Sequence, residues 1–143
     1  MMKTKNIKQA LLYLLAIGIS ILVLFFVIGA SWIGYEVKSQ CRNAQRDYGD
    51  GLSADEADCV DALVSLLKDE SRGFRARNSA IWALGQLGDA RALPVLKSFY
   101  TGNIPDREPL DKMISQYELK KAINLTSGGI NIAALIWRVG HGN

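Results

Sequence analysis

From Ala10 to Ile33 the chain runs 24 residues without a single charged side chain. As a helix this stretch measures about 36 Å, enough to cross a bilayer core of roughly 30 Å with some tilt. Gly18, Ser20 and Gly29 interrupt the apolar run, but a helix keeps its backbone hydrogen bonds internal and tolerates them. Trp32 and Tyr35 stand at the far end, where interfacial aromatics are expected. A buried core helix would be shorter and would carry a polar stripe, which this segment lacks. A cleaved leader has an apolar core of about 7–15 residues and a small-x-small site; here the run is longer, and Ile28-Gly29-Ala30 puts Ile where a small residue is needed. The expectation is a retained anchor over 10–35, preceded by a basic cytoplasmic tail over 1–9.

The anchor organises the charge. Lys3, Lys5 and Lys8 precede it, and after it 14 basic residues balance 14 acidic ones, so the net charge of +3 belongs to the tail alone. The remainder has no basic surplus for a polyanion, which argues against nucleic acid as a partner. The tail lysines favour the cytoplasmic side, although Lys38, Arg42 and Arg46 follow the anchor as well. The expected location is the cell membrane, single-pass, with the N-terminus cytoplasmic and the C-terminal domain extracytoplasmic.

Residues 36–54 read as a polar stalk that continues the anchor helix for two or three turns and ends at Gly49-Asp-Gly51. Ser53 and Glu56 have capping-box spacing for the next helix. The only two cysteines, Cys41 and Cys59, flank this turn. An antiparallel helical hairpin would bring them together, and a bond closing a loop of this size contributes about 3 kcal/mol by the chain-entropy argument. Two unrelated buried thiols are the alternative. A metal site is not expected, because two cysteines with no nearby histidine are an incomplete ligand set.

Residues 55–143 carry the folded domain, beginning with two helical patterns. Ala57, Val60, Leu63, Val64 and Leu67 lie on one helical face, widened by Ala62 and Leu66 to suit contacts on two sides. A charged turn, Lys68-Asp-Glu-Ser-Arg-Gly73, follows, with Gly73 as a helix stop. Ala80, Ile81, Ala83, Leu84 and Leu87 mark the second helix, which Gly85 weakens and Gly88 ends. Asp89 then caps a third over Ala90–Tyr100, with Pro94 near its start.

The run Arg77-Asn-Ser-Ala-Ile-Trp-Ala-Leu-Gly-Gln-Leu-Gly-Asp89, with Arg91-Ala-Leu-Pro-Val-Leu96 behind it, resembles the HEAT-like repeat family of the lyase-associated type. The likeness covers roughly residues 58–96. It implies a small αα-superhelix of about two helix pairs plus a short C-terminal helix, so that with the transmembrane helix read from the apolar run the expected fold is all-α. It also implies that Asp69, Arg77 and Asp89 tie the repeat turns together. The interval from Asp69 to Arg77 exceeds the family's usual spacing by about two residues, so Phe74 and Arg75 are expected to bulge outward. A weaker second copy pairs Ala90–Tyr100 with a helix opened by Pro109 and running to about Leu125. A final helix bearing Ile132, Leu135, Ile136 and Val139 is expected to bury one face against the stack, since repeats need neighbours to complete their core.

Catalytic residues, cofactors, metal sites and small-molecule substrates are not expected. His141 is the only histidine and sits between glycines near the terminus, where no Ser/His/Asp set can be built around it. Arg72, Arg75 and Arg77 form a basic cluster best explained by turn chemistry. The expected function is a non-catalytic interaction or scaffold module, held by membrane lipid and binding a protein partner or its own copies. Candidate contacts are Phe74, Arg75, Trp82 and the proline-framed loop with Ile104, Asp106, Arg107 and Glu108. The alternative is an accessory subunit or lyase-type enzyme helper.

Overall fold

In the computed structural model, which describes residues 2–49 and 58–138, every regular element is a helix. Helix α1 spans Met2–Tyr48 in 47 residues, so the apolar run and the polar segment after it are one rod. It is long and apolar enough to cross a membrane. Then come α2 (Cys59–Lys68), α3 (Phe74–Leu87), a 3-10 turn (Ala90–Ala92), α4 (Leu93–Phe99), α5 (Gln116–Thr126) and α6 (Ala134–Trp137).

The outer part of α1 packs into the domain. Ala30, Gly34, Val37 and Ala44 are buried, and Cys41 and Tyr48 half-buried. Their spacing alternates four and three residues, which keeps one narrow seam facing a neighbour along the rod. Ala44 belongs to the same apolar core as Leu63, Leu67, Ile81, Leu84, Leu96 and Leu119. The small residues of the seam permit the close approach.

Helix α2 lies between α1 and α3, which explains its broad apolar face of Val60, Ala62, Leu63, Leu66 and Leu67. Cys41 bonds Cys59 with the Cα atoms 5.2 Å apart, and further along both helices Tyr48 Oη donates to Asp69 at 2.6 Å. Both contacts advance in the same sense, so α2 runs alongside α1 in parallel. The antiparallel hairpin expected from the sequence is not formed. The segment with Ser53, Glu56 and Ala57 lies outside the described residues, as do Val139 and His141. Within them Asp58 caps α2, accepting from Val60 N at 2.8 Å.

Helix α3 starts at Phe74 with Gly73 as its N-cap. Gly73 therefore opens this helix instead of closing α2, and Phe74 and Arg75 form its first turn instead of a bulge. Gly88, at φ 65°, ends α3 in the left-handed conformation that glycine adopts without steric cost. Gly85 is a packing residue: a Cβ there would stand 2.8 Å from Ala122 Cα, so α3 and α5 cross backbone to backbone.

Two sequence expectations fail at the C-terminal end. Helix α5 begins after Ser115, whose hydroxyl accepts from Glu118 N at 3.0 Å, while Pro109 to Met113 form a turn. Ser115-x-x-Glu118 carries its own capping signal, and it prevails over Pro109. The last helix does not bury its aliphatic stripe in the stack. It contacts α1, buries Ala134 and half-buries Ile136, while Leu135 within it and Ile132 just before it are exposed.

Candidate interaction surface

The charged turn residues are already engaged with neighbouring elements. Arg77 is buried; its Nε donates to Leu67 O at 2.8 Å, over the end of α2. Its guanidinium lies over the rings of Phe74 and Phe99, 5.9 and 5.7 Å from their centroids. Arg72 pairs with Asp47 of α1 and donates to Tyr48 Oη at 3.1 Å. Arg91 joins two capping carboxylates, Asp89 at 2.8 Å and Asp58 at 2.7 Å. The basic triplet of the sequence is thus dispersed: Arg77 goes to the interior, Arg72 to the distal end of α1, and Arg75 alone to an open groove.

These contacts shift the carboxylates. Hydrogen bonds from the Ser71 side chain, Tyr48 and the Ser71 backbone hold Asp69 down at about 2, against an ordinary 3.8; burial opposes this and Arg72 adds to it. The Arg91 hydrogen bond lowers Asp89. For Asp58 burial pushes upward but is outweighed by Arg91 and the α2 backbone N–H groups. A depressed folded-state pKa contributes stability above the unfolded value and loses it as pH falls through the folded value. The denaturant midpoint is therefore expected to hold steady above pH ~5 and to fall between 3.8 and about 2. Asp69→Asn should flatten the lower part of that fall; an unchanged acid limb would dissociate Asp69 from it.

Arg75 lines a groove of about 320 Å³ built from three helices. Helix α1 supplies Glu36 and Gln40, α3 supplies Arg75, Ser79 and Trp82, and α5 supplies Glu118. Gln40 donates to Glu36 at 2.9 Å. A second groove, about 350 Å³, adjoins it through the shared residues Leu110 and Glu118 and holds Ile104, Pro105 and Asp106. The two form one continuous surface of mixed charge with apolar patches at Trp82 and Leu110.

The loop over residues 100–115 is pinned by polar side chains that the sequence reading missed. Buried Asn78 donates to Leu110 O at 2.9 Å and Met113 O at 2.8 Å, and its carbonyl accepts from Ser115 N at 2.9 Å. Gln116 accepts from Thr101 N at 2.8 Å and donates to Phe99 O at 3.2 Å. Glu108 accepts from the Ser115 hydroxyl and from Gln116 N, the latter at 2.7 Å. Its carboxylate is therefore turned onto the start of α5, whereas Asp106 and Arg107 are exposed. Phe74 is exposed at the first turn of α3. An asparagine inside a helical pattern gave little signal; a buried amide there has to find partners, and this one finds three.

Among the described residues no three His, Cys, Asp or Glu side chains gather as a metal site would require. No curated protein and no solved structure matches the chain. The family model for HEAT repeats matches residues 39–108, beginning inside the outer part of α1 and ending in the pinned loop. That span includes the whole of the resemblance seen at 58–96, and the described residues, whose regular elements are all helices, carry a HEAT-type repeat region built onto a long apolar helix.

Proposed function

We propose that this protein is a membrane-anchored, non-catalytic interaction module on the extracytoplasmic face, and that the joined grooves receive a protein partner. HEAT repeats support a protein-interaction or scaffold role in general. The observation that carries the specific reading is the construction of the groove. One wall is the anchor helix itself, through Glu36 and Gln40, and another borders a loop fixed by Asn78, Gln116 and Glu108. A rigid, pre-formed surface loses little freedom when a partner binds. Glu36, Glu118, Arg75 and Asp106 offer charges of both signs around Trp82 and Leu110, which suits a peptide segment of mixed charge with an apolar anchor. The Cys41–Cys59 bond supports the oxidising side of the membrane, as do the lysines before the apolar run.

The test is photocrosslinking in intact membranes, with benzoylphenylalanine replacing exposed Arg75, and exposed Ser65 of α2 as the control site. A discrete protein adduct at 75 and none at 65 is expected. An adduct to a second copy would make self-association the function of the groove. Equal labelling at both sites, or none, would contradict the proposal.

A further inference from the structure

We infer that the segment from Ile130 to Trp137 is a second membrane contact, lying in the lipid–water interface and seating the domain directly on the bilayer. The inference rests on the membrane reading of α1. All of α1 from Ala10 to Gly29 is exposed, a bare length of about 30 Å, which matches the hydrocarbon core. The first residue it buries is Ala30, 2% exposed. One turn further, Gly34 meets the C-terminal segment so closely that a Cβ there would stand 2.5 Å from Trp137 Cβ. The protein cover therefore begins where the bare span ends, and α6 is the element at that level.

The segment is held by its inner side. Ala134 is buried, Asn131 Nδ2 donates to Gln86 Oε1 at 2.8 Å, and Arg138 donates to Gln86 O at the end of α3. Its outer side then shows Ile130 at 88% exposure, Ile132 at 60% and Leu135 at 68%. Three large aliphatics exposed within six residues would be costly facing water. Trp32 and Tyr35, also exposed, lie within one turn of Gly34 on α1 and so at the same height. Interfacial aromatics beside an apolar segment fixed at the end of a span fit a lipid surface. In this arrangement α3 descends toward the bilayer, and Glu36 and Gln40 stand about half a turn and about two turns above the contact. The groove then opens sideways, toward a partner approaching along the membrane.

The experiment uses the full chain in vesicles of phosphatidylcholine and phosphatidylglycerol, with benzoylphenylalanine placed singly at Leu22, Ile132, Leu135 or Lys68. Phospholipid-mass adducts are expected at 22, 132 and 135, and none at 68. Adducts at 22 but at neither 132 nor 135 would overturn the inference and leave the anchor standing. No lipid adduct at 22 would remove the membrane reading itself. Protein–protein adducts at 132 and 135 would assign the apolar face to another copy and equally overturn the lipid contact.

Discussion

A chain beginning at residue 49 is expected not to fold, whereas one beginning at residue 30 should fold cooperatively. Residues 30–48 carry the seam of Ala30, Gly34, Val37, Cys41, Ala44 and Tyr48, and Ala44 lies in the central core itself. Without them the side of α2 that meets α1 is bared to water, together with the apolar side chains that pack there. The Cys41–Cys59 bond is lost too, a contribution of about 3 kcal/mol. Tyr48 also leaves Asp69 and Arg72, opening the distal turn. A domain of this size has about 5–15 kcal/mol of stability in all, so these losses together leave no folded state. Circular dichroism and denaturant titration of the two fragments read the difference. A cooperative transition in the fragment from 49 would mean that the outer part of α1 is only a stalk.

The second large effect lies at Asn78. Truncation to alanine orphans two carbonyls and one N–H, the Leu110, Met113 and Ser115 groups that the amide now satisfies. Leaving buried polar groups unpaired costs about 1–3 kcal/mol each when nothing replaces the bond. Part of this loop is reached by water, so a loss of about 3 kcal/mol is expected in total, a fall in Tm on the order of 15 °C. Hydrogen exchange should rise most over residues 101–115. Ser79→Ala is the control: its hydroxyl donates only to Arg75 O, on the exposed side of the same helix, and it should change stability by less than about 0.5 kcal/mol. A loss below about 1 kcal/mol at Asn78, or exchange unchanged in the loop, would show that the loop is held by other means.

The parts of the fold legible in the sequence were those encoded by local period and local stops. Val60 through Leu67 and Ala80 through Leu84 announce two apolar helical faces, and both turn inward, with Val64 and Leu87 only half-buried at their margins. Gly88 and Asp89 mark the end of one helix and the cap of the next, and they perform those roles. The seam on α1 was also written in the sequence, at alternating spacings of four and three. It was masked because Ala30 and Gly34 lie in or beside an apolar run that by itself reads as a membrane span, and because small residues carry weak hydrophobic signal. The course of α2 was not legible, since two cysteines set a distance and not a direction. Pro109 misled because its ring suits a first helical turn, while Ser115 with Glu118 formed the stronger cap. At the C-terminal end helical period alone could not say whether Ile132 and Leu135 faced the core or the outside.

The candidate surface divides along the same line. The loop with Ile104, Asp106 and Arg107 stood out locally through its two prolines and its charge. Glu36, Gln40 and Glu118 did not, because the groove they line is made by helices far apart in the chain. Asn78 and Gln116 were invisible for the same reason, their partners lying 15 to 37 residues away.

The proposed placement fixes the repeat domain to the outer face of a membrane through a helix whose C-terminal part is also the first wall of the domain. The most direct test is a fusion of a reporter that fluoresces only in the cytoplasm, placed after Asn143 of the full chain. A dark reporter is predicted, with the fusion recovered intact in the membrane fraction. A bright one would put the domain and both cysteines on the reducing side and rule out the extracytoplasmic placement.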